Sequence, residues 1–546
     1  MEKENHGLVD EILEFLWMEN PVEATLAGIH RYDDRLEKLD LVSRRNKLQR
    51  KREYAEMIAA LQKKGGSTVE LNLLRSALEV GVTMEERSRS LDRDAGTYPR
   101  LALYGIYQLV ARSSAPYHYR ALRAVDRLRE IPRILAEGKL NLSYGENIPS
   151  ILTLGGVELA ATGRDYLSQL VGLLVGEVPE LENVIKKYAD HALKAFEDYL
   201  EFLVEEIQPR SNGASGVGGE LFEYLLSREH NLDLDTAELR RIALEELEKA
   251  EAELESRGKR AAGSGSWRDK LDLEESAIPV GDLLAHWQGV VDEVRQAVRK
   301  ADLLSLPSGG KLELVETPPF ERLTIPLAGY IEAPLFEENS RAFFCITPPR
   351  AVAPGSENGT GLARHSRFKA LVTVLRDLYP GRHTLLQRRR RAGIRLAYLA
   401  QGNVLEEGWC NYVLSMAAEH DLFEEPRLSL FALRDRLLAA WRVRIDLDLH
   451  TEGFKESEAV SRLAAGAGID EQQAWNQVQR LAAAPTSSVG ALIGRLKIES
   501  WRESCCVRAK KPLSLKKFHD SLLHLSGLPL ETVEKRLLKA ASATKR

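Results

Sequence analysis

Residues 236–257 read TAELRRIALEELEKAEAELESR, and this stretch points most directly to the fold class. It is rich in residues with high helix propensity. Arg241 and Glu245, and then Glu245 and Lys249, lie four residues apart, which is the spacing of ion pairs on one helix face. We interpret the charges as the solvent-facing side of a helix. The stretch predicts a mostly α-helical protein.

Helical periodicity extends over most of the chain. The opening helix has one apolar face and stops near Asn20-Pro21. Further helical patterns cover 43–63, 68–92, 119–136, 163–175, 180–207 and 219–229, and helices resume from 366 to the end. In between, residues 311–349 alternate Pro pairs, β-branched residues and aromatics over short spans, which predicts a small β element.

The composition excludes several classes of protein. The 546 residues are 44% hydrophobic, which is enough for a large core and argues against general disorder. The net charge of −5 lacks the basic excess of a nucleic-acid-binding domain, and four Cys are too few for a disulfide scaffold. The N-terminus does not resemble a signal peptide, and there is no run of about 18 apolar residues. We therefore expect a cytoplasmic protein with no nucleic-acid or membrane partner.

Two local motifs have unremarkable interpretations. The glycine-rich stretch 213–222, GASGVGGELF, lacks both nucleotide-binding patterns, although a helix N-terminus after such a loop can hold an anion. We favour a plain turn. The run 388–391 is four arginines, which point all round a helix, so we expect a solvated face combined with internal salt bridges. No GxSxG nucleophile motif occurs.

Three segments carry a resemblance to a known family. They are LVTVLRDLYPGRHTLLQ at 371–387, LEEGWCNY at 405–412 and DLDLH at 446–450. The pattern resembles the bacterial domain of unknown function 885, whose members resemble helical zinc peptidases of the gluzincin type. That family carries segments resembling HEAYPGHHLQ, then EGWALYAE, then an Arg followed by DxGxH.

The resemblance runs along nearly the whole chain. Its other pieces are Pro21 with Ala24-Thr25 and Gly28, Tyr32-Asp33-Asp34, Gly219-Glu220 with Phe222, residues 326–334 with Tyr330, Phe518-His519-Asp520, and Gly527-Leu528-Pro529. It implies a metallopeptidase-like helical body around a central cleft. We expect an N-terminal lobe at 1–209 and a cleft-forming lobe at 210–546, together one continuous unit, with a flexible linker at 257–266.

The chain departs from the family at the positions that look like zinc ligands. Arg376 and Arg382 stand where the family has two His, and Asp377 stands where it has the Glu that looks like the general base. Arginine has no lone pair to give a metal. Ala491 also replaces a Tyr that could polarise a scissile carbonyl. The resemblance therefore implies a dismantled zinc site, and we expect no metal cofactor, with zinc as the alternative that the family implies.

Two interpretations of the arginines stay open. In the first, which we favour, Arg376 and Arg382 replace the charge of the missing dication and pair with Asp377, Glu406, Glu407 and Asp446. In the second, they bind a carboxylate or phosphate. On this second view the ligand-binding candidates are Arg376, Arg382, Arg442 and Asp446.

Other residues have lesser assignments. Asp377 and Tyr412 are the candidate catalytic residues, at the family's base and cleft positions, although Trp409, Tyr412 and Trp441 are most simply core aromatics. If a metal binds, its ligands would be His383, Glu407 and His450.

The leading hypothesis is a non-hydrolytic binder of a peptide or small anionic ligand, or an enzyme with a repurposed reaction. The first alternative is an active metallohydrolase that cuts short peptides, like a carboxypeptidase. The second is a helical interaction scaffold. The oligomeric state stays open.

Overall fold

The computed structural model describes residues 2–112, 114–260, 265–275, 282–322, 325–338, 340–349, 365–399, 403–423, 428–508 and 514–543. Helices dominate these residues, and the only regular β structure among them is a three-stranded sheet. The prediction of a mostly α fold is confirmed.

Nine helices form the N-terminal part of the described chain. The side chains of Asp40 and Thr68 cap α3 and α4, and Pro21 is the first residue of α2. The helices are α1 Glu2–Glu19, α2 Pro21–Ala27, α3 Leu41–Lys63, α4 Val69–Arg87, α5 Ser90–Arg93, α6 Thr97–Ala111, α7 Tyr117–Ser143, α8 Ser150–Glu177 and α9 Glu182–Phe202.

Fourteen further helices follow in the described part of the chain. They are α10 Gly219–Arg228, α11 Thr236–Arg260, α12 Trp267–Glu275, α13 Leu283–Ala301, α14 Arg367–Asp377, α15 Arg382–Ala392, α16 Ile394–Leu399, α17 Asn403–Glu419, α18 Leu428–Thr451, α19 Glu456–Ala467, α20 Glu471–Ala483, α21 Val489–Arg508, α22 Leu515–His524 and α23 Leu530–Ala543. No helix among the described residues is long and apolar enough to cross a membrane.

The small sheet lies where the sequence predicts it. Its strands are β1 Lys311–Glu316, β2 Ala328–Ile331 and β3 Arg341–Ile346, in the order β1-β3-β2. β1 pairs in parallel with β3, from Lys311 opposite Arg341 to Glu316 opposite Ile346. β2 pairs antiparallel with β3, so that Tyr330 lies opposite Phe344. The sheet brings Tyr330 to the edge of the cavity described below.

The predicted helices all occur, with differences at their ends. The periodicity missed α2, α12 and α13. It also missed α6 and the first half of α8, which contain a proline and adjacent glycines that usually mark loops. Of the predicted linker 257–266, residues 257–260 belong to α11, and 261–264 lie outside the described residues.

Two large apolar cores hold the two halves of the chain. One lies among α6 to α9 and takes in Phe320 from the segment between β1 and β2. The other lies among α11, α13, α14, α17, α18 and α21. A smaller cluster joins α1 to α4 with Leu335 and Tyr398, from the second half. The described halves are therefore packed into each other rather than joined by a single link.

Candidate functional site

A sharp break between α14 and α15 positions the residues of the first motif. α14 ends at Asp377 and α15 begins at Arg382, and the Tyr379–Pro380 peptide bond in the turn is cis. A Cβ on Gly381 would lie 1.7 Å from the carbonyl oxygen of Arg376, so only glycine allows the chain to turn back this tightly. The turn brings Arg376, Asp377 and Arg382 to one cavity.

This cavity has a volume of about 710 Å³. Its walls come from α14, α17, α18, α20 and the segment that leads into β2. Among the described residues that line it, cationic side chains outnumber carboxylates seven to three: Arg100, Lys369, Arg376, Arg382, Arg434, Arg442 and Arg480 face Asp377, Glu407 and Asp435. The cavity is therefore an electropositive enclosure suited to an anion.

Arg376 is paired within its own motif. Its Nε and Nη2 donate to the two carboxylate oxygens of Asp377, each at 2.9 Å, and its Nη1 lies 3.5 Å from Oδ2 of Asp435. The negative charge of Asp377 raises the pKa of Arg376 despite the opposing effect of burial. Asp377 is buried, and both of its oxygens accept from Arg376, which is not the arrangement of a free general base.

Arg382 joins the first motif to the second. Its Nη2 donates to Glu407 at 2.6 Å, and its Nη1 donates to Glu406, which also accepts from Arg389 at 3.1 Å. Burial works to raise the pKa of Glu407, but the nearby charge and hydrogen bond of Arg382 outweigh it, so the pKa of that carboxyl is lowered. The guanidinium therefore stabilises the ionised carboxylates, as the favoured structural interpretation predicts.

Arg442 differs from these two arginines. Its Nε is buried and has no hydrogen-bond partner in the part of the chain that the structure describes. Burial lowers the pKa of Arg442, and the charge of Arg376 adds to that effect while Glu407 opposes it. Burial also lowers the pKa of Arg480 to about 10, with Arg442 and Arg376 contributing. Arg376, Arg442 and Arg480 thus repel one another, and an anion between them would relieve that repulsion.

The residues proposed as replacement metal ligands do not converge. His383 is bonded through Nδ1 to the hydroxyl of Tyr330 at 3.0 Å, and Glu407 is held by Arg382. His450 donates through Nε2 to the carbonyl of Leu481 at 2.9 Å and does not line the cavity. No group of three or more His, Cys, Asp or Glu within the described ranges could hold a metal ion. The residues at these positions therefore do not fit zinc.

Two predicted site residues lie outside the cavity. Tyr412 is fully buried, and its hydroxyl contacts Nε2 of His519 at 2.9 Å and Nη1 of Arg502 at 3.1 Å. Asp446 is also fully buried and accepts from Oγ of Ser488 at 2.6 Å. Neither Tyr412 nor Asp446 is among the residues that line the cavity. One braces α17 against α21 and α22, and the other fixes the turn before α21.

In the arginine run 388–391, Arg389 is buried, Arg388 and Arg390 are half-buried, and Arg391 is exposed. Arg388 donates to the carbonyl of Ser305, Arg389 to Glu406, Arg390 to the carbonyl of Glu337 and Arg391 to the carbonyl of Ser308. Each arginine therefore anchors α15 to another segment. The glycine-rich stretch is an irregular segment at 214–218 followed by the start of α10, and the amide of Gly218 donates to the carbonyl of His450 at 2.8 Å.

The sequence motifs missed several lining residues. One of them is Arg434, which lies eight residues before the predicted Arg442 on α18, so two turns of spacing could have placed it on the same face. Arg480 comes from α20 and Arg100 from α6. Since nothing in the sequence links those helices to the motif, only the packed structure brings these two arginines to the cavity.

Comparisons with known proteins agree with this fold. The model of a family described as "Bacterial protein of unknown function (DUF885)" matches residues 21–537. The structure of "a putative lipoprotein of unknown function" from Shewanella oneidensis is similar, with a TM-score of 0.77 and 18% identity over 97% of this chain and 99% of that one. So is "the putative lipoprotein" from Colwellia psychrerythraea, with a TM-score of 0.79 and 16% identity over 98% of each chain. A search of curated proteins gave no match.

Proposed function

The chain belongs to the DUF885 family, and on that premise we propose that it binds a small anionic ligand, or the carboxylate of a peptide, in the arginine-lined cavity. The proposed binding is non-hydrolytic. The zinc-peptidase likeness that the sequence suggests would then describe an ancestor whose metal site has been replaced by ion pairs.

Arg442 carries the proposal. Its Nε is a buried donor without a hydrogen-bond partner among the described residues. Such a donor raises the free energy of the folded state, because it has lost its hydrogen bonds to water and has formed none within the protein. Arg376 acts with burial to lower the pKa of Arg442, while Glu407, Asp446 and Asp435 oppose that effect. Arg480 is a further cation close to it, since Arg442 and Arg376 both lower the pKa of Arg480. A ligand carboxylate that accepts a hydrogen bond from Nε of Arg442 would give that donor a partner. It would also reduce the repulsion between the neighbouring arginines.

The two motif arginines support the non-hydrolytic part of the proposal. Arg376 and Arg382 are held by carboxylates, so they neutralise the site rather than offer free donors. An active metallohydrolase would need His383, Glu407 and His450 together, and each of these has another partner. The candidate ligand anchor is therefore Arg442. The cytoplasmic location stays a prediction from the sequence.

Calorimetric titration of the purified full chain tests this proposal. The probes are succinate, inorganic phosphate and N-acetyl-Ala-Ala-Ala at pH 7.5. We expect at least one to bind, and Arg442→Gln to weaken that binding at least tenfold, since charged hydrogen bonds contribute on the order of 2 kcal/mol. Arg444→Gln is the matched control, because Arg444 lies on the same helix but pairs with Asp448 outside the cavity.

Two outcomes would contradict the proposal. Stoichiometric zinc, removed by a chelator together with peptide hydrolysis, would establish the metallohydrolase. Failure of all three probes to bind would favour the helical interaction scaffold.

A further inference from the structure

A second, smaller cavity adjoins the first. Its volume is about 70 Å³, and it lies between α6, α8, α20 and a short 3₁₀ helix, Pro319–Glu321. Arg100, Arg480 and Ala483 line both cavities, so a ligand in the large one can extend a small group into the other. The small cavity adds two acidic residues to the enclosure, Asp94 and Glu321.

Glu321 presents an unsatisfied acceptor to this space. Glu321 is only 2% exposed, and its Oε1 atom is buried with no hydrogen-bond partner among the described residues. Burial raises the pKa of Glu321, and a hydrogen bond from Tyr104 opposes that rise. A buried carboxylate oxygen without a donor costs free energy, as does a buried donor without an acceptor.

Tyr104, which lines the small cavity, hydrogen-bonds the Glu321 carboxyl, but no described residue donates to its Oε1. Asp94 already accepts from the amide of Gly96 and from the hydroxyl of Thr97, each at 2.9 Å. Nη1 of Arg100 lies 3.9 Å from Oδ2 of Asp94, and the charge of Arg100 also acts to lower the pKa of Glu321. The open acceptor is therefore Oε1 of Glu321.

Aromatic packing holds Glu321 in place. The preceding residue, Phe320, is buried among Tyr104, Tyr107 and Tyr166, with ring centroids 5.4, 5.6 and 5.0 Å away. Because Phe320 is anchored in the core of the N-terminal half, Glu321 is fixed relative to α6 and α8. The carboxyl group is thus part of a rigid, preformed surface.

We infer that the ligand is a zwitterion, such as an α-amino acid or a short peptide with a free amino end; this inference rests on the proposed function. Its carboxylate lies against Arg442, and its ammonium group donates to Oε1 of Glu321. A cavity of about 70 Å³ suits an ammonium group, since one water molecule takes up about 30 Å³ in the liquid. A ligand with only anionic groups would leave Oε1 of Glu321 without a donor.

The test compares Ala-Ala-Ala with N-acetyl-Ala-Ala-Ala on the full chain by calorimetry at pH 7.5. Acetylation removes the ammonium charge and keeps the carboxylate. We expect the free peptide to bind at least tenfold more tightly. Glu321→Gln, which keeps the shape of the side chain, should reduce that preference to within about twofold. Glu316→Gln, a change at an exposed carboxylate, is the control.

The outcomes separate this inference from the proposed function. Equal binding of both peptides, sensitive to Arg442→Gln, would overturn the zwitterion and leave the anion site standing. A preference for the free peptide that survives Glu321→Gln would also overturn it, because another group would then recognise the amine. Absence of binding by every anionic probe would defeat both. If Glu321→Gln changes the circular dichroism spectrum, Glu321→Asp replaces it and should likewise lose the preference.

Discussion

Arg382 neutralises two carboxylates at once, and this makes it the residue on which the motif region depends most. Glu406 and Glu407 are neighbours on α17, and both accept from its guanidinium. All three side chains are more than two-thirds buried. Without Arg382 the carboxylates of Glu406 and Glu407 would repel each other where little water reaches them. Removing the arginine therefore destabilises the protein even though the intact ion pairs add little net stability.

We predict that Arg382→Met destabilises the protein by about 3 kcal/mol, because it leaves two buried carboxylates with fewer cations. Chemical denaturation at pH 7.5 measures the change in the free energy of unfolding. The control is Arg241→Met, which breaks an exposed pair with Glu245 and should cost less than about 1 kcal/mol. Equal small losses in both variants would contradict the structural role of Arg382.

The sequence predicts part of this residue-level picture. Arg376 and Arg382 were recognisable because a guanidinium replaces a metal ligand in a patterned motif, and Asp377 and Glu407 lie inside the same segments. The motifs could not indicate that Tyr412 and Asp446 lie outside the cavity, because a motif gives the residue type but not the direction in which the side chain points. Arg442 was named, but its orphaned nitrogen is visible only in the packed structure.

At the scale of elements, α17 and α21 cross at two glycines. A Cβ on Gly494 would lie 1.9 Å from the carbonyl oxygen of Val404 and 2.7 Å from Cα of Gly408. The helices therefore touch through their backbones. Glu407 precedes Gly408 on α17, and Ala491 precedes Gly494 on α21. Because the two helices cross so closely, Glu407 and Ala491 both line the cavity.

We predict that Gly494→Ala destabilises the protein by about 2 kcal/mol or more, because rigid backbone cannot move away from the new methyl group. The matched control is Gly289→Ala in α13, an exposed helical position where a Cβ meets nothing within 4 Å. That change should stabilise the helix by up to about 1 kcal/mol. Thermal unfolding of the two variants beside the wild type gives the comparison. Stabilisation by both would show that the crossing can open without cost.

Periodicity predicts elements better than it predicts their contacts. It located α3, α4, α9, α10 and α11 because their apolar spacing is regular. It could not indicate that α6 and α20 meet at the small cavity, since contacts between elements so distant in sequence depend on the shape of the whole core. For the same reason, nothing in the sequence indicates that Glu321 lines the small cavity.

At the scale of the whole molecule, the N-terminal half is completed by residues from the second half. Phe320 fills a space among tyrosines of α6 and α8, and Leu335 and Tyr398 pack with α1 to α4. Trp17 contacts Phe336 and Tyr398, with ring centroids 5.3 and 6.1 Å away. Removing the second half would expose these apolar surfaces to water.

We therefore predict that a fragment of residues 1–209 folds less stably than the same residues do in the full chain. Burying a large aromatic or aliphatic side chain contributes about 1.5–3 kcal/mol, and the fragment lacks Phe320, Leu335, Phe336 and Tyr398 together. Circular dichroism should show reduced helix content per residue and a lower Tm than in the full chain. As a control, Phe320→Ala in the full chain should lower the Tm in the same direction but by less. A fragment with the helix content and Tm of the full chain would instead show that 1–209 is an independent domain, and the small cavity would then lie between two separately folded units.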